Sequence, residues 1–215
     1  MWIYFRITMK KNNRHIPEHI AKRGPCVALV ADGETEQWYF KGMKQTENLT
    51  CTIKPEFPEP KTIEAEFEKV QELVHSEYDY IFWIVDVDVV NKEGKWHVLV
   101  DSINACEQRD DLKEKVCVIL NNPCLEYWLL LHFKQTTKYF SNYSTQKKEL
   151  LKTAKLQDYE KSEKYYLSKN SLYKRLRSEL PQAVQHAKMI APFNGEQPHQ
   201  ALCNMFKVME YFNIS

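Results

Sequence analysis

The chain has 215 residues, 43% of them hydrophobic and 13% aromatic, and a formal net charge of +1. Apolar and aromatic residues run along the whole length, which excludes a disordered chain, and no run reaches the roughly 18 apolar residues of a membrane span. The small net charge hides a division: residues 31–114 hold 20 acids against 9 bases, residues 134–188 hold 13 bases against 5 acids, and residues 1–30 hold 6 bases against 1 acid. Such a division suits an acidic catalytic part beside a basic part that attracts a polyanion. Lys-rich helices that are merely soluble explain the basic part about as well.

Residues 1–24 read as a flexible basic leader, with an apolar run too short for a secretory signal. "CVALVA" (26–31) is a short, buried, β-branched strand, and "EQWYFKGMKQ" (36–45) is a helix. "TCTIKPEF" (50–57) is a weaker strand, edge-like because Pro55 interrupts it. Ile63, Phe67, Val70 and Val74 recur at helical spacing. "YDYIFWIVDVD" (78–88) is apolar on both faces, hence a central strand. "WHVLVDSINACEQR" (96–109) is a helix and "KVCVILN" (115–121) a second buried strand. "PCLEYWLLLHF" (123–133) is a very apolar helix with Pro123 at its start. This alternation predicts an α/β fold over 25–134, with a mostly parallel central sheet flanked by helices. From about Lys134 the strand signals stop, and 135–215 reads as a basic helical C-terminal part. In it "SLYKRLRSELPQAVQHAKMI" is divided by Pro181 and "HQALCNMFKVMEYF" is helical. The six cysteines show no CxxC pair, so they read as reduced thiols of a cytoplasmic protein rather than a zinc site.

The acids carry the chemistry. Asp32, Glu34 and Glu36 crowd around one glycine where the first strand hands over to a helix. Asp86 and Asp88 end the central strand two residues apart, and i and i+2 share a face. Glu126 opens the helix after the next strand. Open α/β sheets bind ligands at the carboxyl ends of their strands. Carboxylates gathered there repel one another unless a cation lies between them. A hard divalent ion, Mg²⁺ or Mn²⁺, suits oxygen ligands of this kind. Each group also has a plainer explanation, since acids favour helix N-termini and DxD alone is a weak signal. "DVDVV" fits the haloacid-dehalogenase phosphatase string, but that motif ends the first strand of its fold. A sugar-nucleotide transferase DxD would come with a nucleotide-binding pattern, and none accompanies it.

Taken together, "LVADGETEQWYF", "IVDVD" and "NNPCLEYWLLLHF" resemble the RloB family, and the later "AVQHAK…PHQALCNMFKVMEYF" resembles its helical tail. The resemblance spans most of the chain, and "NPCLEYWLLLHF" is its most specific piece. It implies a Toprim-type domain, related in pattern to overcoming-lysogenization-defect nucleases, topoisomerases and primases. It also implies a nuclease-like role in bacterial defence against phage, near restriction genes. On that pattern Asp32, Asp86 and Asp88 are metal ligands, and Glu36 and Glu126 complete the site for one or two ions. Asp32 and Glu36 are catalytic acids, and a lysine or histidine, Lys188 or His132, stabilises the phosphate. The family pattern has Glu where Asp32 stands, so reach for acid–base work is shortened by one methylene while metal binding is kept. Nucleic acid, DNA or RNA, would lie on Lys147, Lys148, Lys152, Lys155, Lys174, Arg175 and Arg177. Tyr165, Tyr166 and Tyr173 are then either stacking platforms or, more simply, core. No GxxxxGK[ST] string is present, so an ATPase partner would be a separate chain; homo-oligomerisation stays open. The alternative to a Mg²⁺-dependent nuclease is a non-catalytic, metal- or ligand-binding sensor module.

Overall fold

The computed structural model describes residues 25–31, 33–56 and 62–214. The expected leader over 1–24 and Asp32 lie outside the described residues.

Five apolar or half-buried strands form one sheet. They are β1 (Val27–Ala31), β2 (Thr52–Lys54), β3 (Tyr80–Asp86), β4 (Val116–Asn122) and β5 (Leu202–Cys203), in the order β2-β1-β3-β4-β5. The first four are parallel, and β5 joins antiparallel through Asn121↔Cys203 and Asn122↔Leu202. β1 and β3, in the middle, are buried on both faces, as parallel strands covered by helices must be. β2 is the half-buried edge strand that Pro55 foretells.

Alternation along the strands divides the core in two. Ala28, Val30, Ile81, Trp83 and Val85 face a layer made by α2 (Ile63–Val74), α3 (Val87–Lys92) and α4 (Trp96–Gln108). Val27, Leu29, Ala31, Phe82, Ile84 and Ile119 face the other layer. That layer holds α1 (Glu34–Glu47), α5 (Glu126–Leu131), α6 (Tyr143–Leu150), α7 (Glu163–Leu167), α8 (Leu172–Leu176), α9 (Leu180–Lys188) and α10 (Phe206–Tyr211). The basic C-terminal part is therefore the second wall of the sheet. Every residue of α5 is buried, because the helix is enclosed between sheet and C-terminal helices. Its Trp128 Nε1 donates to Tyr39 Oη on α1 at 2.7 Å, which satisfies a buried indole.

Three expectations change. The "HQALCNMFKVMEYF" segment is not one helix: Leu202–Cys203 pairs with β4 before α10 begins. The pairing outweighs helix propensity because β4 would otherwise leave an open, buried edge. Pro123 does not start α5; it lies three residues earlier, after a cis Asn122–Pro123 peptide, and the helix opens at Glu126. The central strand stops at Asp86, which sits at the N-cap of α3, so Asp88 belongs to a first helical turn and does not share a strand face with Asp86.

Beyond β5 the free side of β4 is closed by Asn204. Its backbone N–H donates to Leu120 O at 3.2 Å, its Oδ1 accepts from Leu120 N at 2.5 Å, and its Nδ2 donates to Val118 O at 3.3 Å. One residue thus stands in for two rungs of a missing strand. Asn204→Ala leaves a buried N–H without a partner and should cost about 1–3 kcal/mol. Urea unfolding is expected to show a lower midpoint at unchanged slope.

Candidate metal centre

The carboxyl ends of β1, β3 and β4 lie side by side, and each leads into an acid. The turn after β1 brings in Glu36 on the first turn of α1, β3 ends in Asp86, and the loop after β4 delivers Glu126 at the start of α5. A hydrogen bond from Asp88 N to Pro123 O, 2.9 Å, ties the β3–α3 junction to the β4–α5 loop. Glu126 is fully buried, Glu36 is 5% exposed and Asp88 9% exposed. The Glu36 carboxylate folds back over Gly33, so a β-carbon there would fall on Glu36 Oε2. Glycine at 33 is thus a matter of space, since its backbone is ordinary extended chain. Glu34 starts α1 and is exposed.

Burial first, then the neighbouring Glu126 charge, pushes the Glu36 carboxyl above its usual range; the Asp86 carboxyl within hydrogen-bond reach and Lys161 oppose this. Burial, then Glu36 and Glu126, pushes Asp86 up more strongly. Close carboxylates away from water favour their neutral forms unless a cation lies between them. One oxygen of each acid, Glu36 Oε1, Asp86 Oδ1 and Glu126 Oε2, is buried without a hydrogen-bond partner. Buried polar atoms are rarely left so. Three unsatisfied anionic oxygens fit a hard divalent cation, and Mg²⁺ binds through one or two carboxylates with waters completing the shell. Among the described residues no three His, Cys, Asp or Glu side chains converge on one ion position. The donor set therefore suits an ion that keeps much of its water.

Asp88 lies one helical step away, and its carboxylate accepts from Lys92 Nζ at 2.8 Å. Asn121 is the register partner of Asp86 and lies on the same face; it is fully buried with Nδ2 unpartnered. Glu126 Oε1 accepts from Tyr159 Oη at 2.5 Å and pairs with Lys161 Nζ at 2.9 Å, while Tyr159 and Tyr166 hydroxyls lie 2.6 Å apart. Tyr159, Lys161 and Asn121 were not legible in the sequence as site residues, and Tyr166 was read there only as a stacking platform or core. "QDYEKSEKYY" has no chemical spacing, and only the fold of the C-terminal part onto α1 and α5 brings it here.

Two expected participants are elsewhere. Lys188 pairs with Glu210 at 2.5 Å. Glu210 precedes Tyr211, whose ring stacks on Tyr80 at the start of β3, the end opposite Asp86. His132 is buried, its Nδ1 lies 3.0 Å from Trp128 O, and burial lowers its pKa to about 4. It is a neutral core residue.

The basic residues are divided. Lys147 and Lys148 lie on α6, which ends at Leu150, so Lys152 and Lys155 fall beyond it and the helical spacing is lost. Lys152 pairs with Glu149 at 2.7 Å, Lys155 with Glu179 at 2.8 Å and Arg177 with Glu47 at 2.5 Å. Arg175 stacks on Tyr165 at 4.2 Å, and Lys148 and Lys174 are exposed. Tyr166 and Tyr173 are buried, which makes them core rather than stacking platforms.

The family model for RloB-like proteins matches residues 27–212, from the start of β1 to just past α10. The chain belongs to the RloB-like family. No curated protein and no solved structure matches it. In RloB-like terms the matched region contains both walls of the sheet, including the Tyr159–Lys161 segment. Among the described residues no helix is long and apolar enough to cross a membrane, and all six cysteines are free thiols.

The raised carboxyls set a pH dependence. An acid whose folded pKa lies above its unfolded value stabilises the fold fully below the ordinary carboxylate range of about 4. That stability is lost as pH rises through the raised value. In EDTA the thermal midpoint should therefore fall as pH increases from mildly acidic to neutral, and Asp86→Asn should flatten the fall. A wild-type midpoint indifferent to pH over that span would contradict the clustered, protonated acids.

Proposed function

We propose that this RloB-like protein is a Toprim-type, Mg²⁺- or Mn²⁺-dependent nuclease that hydrolyses phosphodiester bonds of nucleic acid in bacterial phage defence. The observation that carries the reading is the set of three carboxylates from three neighbouring strand ends, each with a buried oxygen lacking a partner. One or two of Glu36, Asp86 and Glu126 would hold the ion and waters would complete its shell, with Asp88 close by; Asp32 is a further ligand on the family pattern. A divalent ion there would neutralise phosphate charge and lower the pKa of a bound water. Water oxygen bonds to phosphorus, the bridging P–O bond breaks, and the leaving oxygen takes up a proton. The chain's own part is to fix the acids: Gly33 makes room for Glu36, and Tyr159 and Lys161 occupy Glu126 Oε1 so that Oε2 stays available. Lys147, Lys148, Lys174 and Arg175, from the wall that carries Lys161, would attract the polyanion.

A second reading, a metal-linked sensor without catalysis, is favoured by Asp32 in place of the family's Glu. Cleavage separates the two. Labelled DNA and RNA pools incubated with Mg²⁺ or Mn²⁺ should be cut by wild type, and Asp86→Ala should bring cleavage below detection while the fold persists. Metal-induced thermal stabilisation, which follows ligand linkage, should shrink in the same variant, and Asp32→Glu should keep or raise activity. Intact metal binding with no cleavage by any form would leave the sensor.

Binding to the basic wall should weaken steeply with salt, because phosphate contacts release counterions. Neutralising Lys147, Lys148, Lys174 and Arg175 together should lower affinity and flatten the salt slope by up to about four. Salt-independent binding would make these residues ordinary soluble surface.

A further inference from the structure

Among the described residues Lys161 is the cation whose charge reaches all of Glu36, Asp86 and Glu126. Its ammonium lies 2.9 Å from Glu126 Oε1 and 4.2 Å from the centre of the Tyr143 ring. The segment that carries it is pinned on both sides. Tyr159, two residues before, donates to the same carboxylate. Ser162, the next residue, caps α7 through Tyr165 N, and α7 carries the buried Tyr166.

Lys161 keeps 35% of its side chain exposed while Glu126 keeps none, so the ammonium stands between the buried acid and solvent. One N–H faces Glu126 and the Tyr143 ring covers one side, which leaves the ammonium further donors for solvent or a ligand. An anionic substrate approaching three carboxylates is repelled, and a cation fixed at their rim removes part of that repulsion. Lys92 is the other lysine beside the acids, but it is 64% exposed and pairs with Asp88 along one turn of its own helix.

We infer that Lys161 is a catalytic residue that contacts a non-bridging oxygen of the bound phosphodiester, bridging it to Glu126, the part expected of Lys188 from the sequence. The inference rests on the nuclease reading for its catalytic half, while phosphate contact can be read without cleavage. Lys161→Met keeps the apolar stem over Tyr143 and removes the charge; Lys161→Arg keeps the charge; Lys188→Ala is the control at the far end of the sheet. Binding of a fluorescein-labelled DNA oligonucleotide and its RNA counterpart is measured by anisotropy in EDTA over a range of salt. Mn²⁺ affinity is measured by calorimetry, and cleavage in Mn²⁺.

Lys161→Met should lower oligonucleotide affinity and reduce the salt slope by about one. Mn²⁺ affinity should hold or rise, because a positive charge leaves the site, and cleavage should fall by about a hundredfold. Arg should restore binding at least in part, and Lys188→Ala should match wild type throughout. A residue that only supports the fold would not leave Mn²⁺ binding intact while changing the salt slope. Unchanged oligonucleotide binding by Lys161→Met overturns the inference, as does an equal loss in Lys188→Ala. If wild type binds as expected but never cleaves, the nuclease reading fails and the phosphate contact stands. If Lys161→Met cleaves like wild type, the inference fails and the nuclease reading stands. Absence of oligonucleotide binding by wild type in EDTA overturns the phosphate contact, while cleavage in Mn²⁺ decides the nuclease reading.

Discussion

Three carboxylates held out of water at one end of a parallel sheet are the constraint around which the rest of the fold is arranged. Desolvating one carboxylate is costly, and placing two more beside it adds repulsion. The chain meets part of this by pairing the buried Glu126 with the part-exposed Lys161, backed by the Tyr159 hydroxyl. The rest shows in the Glu36 and Asp86 carboxyls, which burial and their acidic neighbours push above the usual range. Removing one member of such a pair leaves a buried charge uncompensated, which is far worse than never having had the pair.

That constraint explains why the C-terminal half is wrapped so closely on the sheet. Lys161 reaches Glu126 only because α7 and α8 pack against α1, and α6 and α9 close over α5. Tyr39, Tyr173 and Trp128 join these layers through edge-on ring contact and a buried hydrogen bond. The Tyr173 hydroxyl and Arg177 both reach Glu47 at the far end of α1. The wall that completes the core is thus also the source of the site's positive charge. Charge separation along the sequence becomes charge apposition in space, with basic helices standing against the acidic end of the sheet.

Buried amides near the acids add a second layer of order. Asn122 Nδ2 donates to Pro198 O and Gln200 O, which anchors the segment leading to β5. Cys124 Sγ donates to Gln146 Oε1, which joins the loop before Glu126 to α6. Rigid placement of this kind is what a metal site needs, since ligand position within fractions of an ångström decides affinity.

By itself the sequence determined the sheet and the acids. Runs such as "CVALVA" and "YIFWIVD" are apolar on both faces, so they had to be buried parallel strands, and period alone set the helices between them. Glu36, Asp86 and Glu126 were legible because each stands at a strand end or first helical turn, where a change from apolar to acidic shows in one dimension. The tertiary structure alone decided which cation meets them. Lys188 closes a helically patterned stretch and Lys161 lies in a charged, tyrosine-rich one, and neither neighbourhood names the acid that its lysine meets. Only packing sends one to Glu126 and the other to Glu210, at opposite ends of β3. The same holds for β5 and Asn204. A two-residue strand carries no periodicity, and its pairing arises because β4 presents unsatisfied backbone groups that something in the chain must meet.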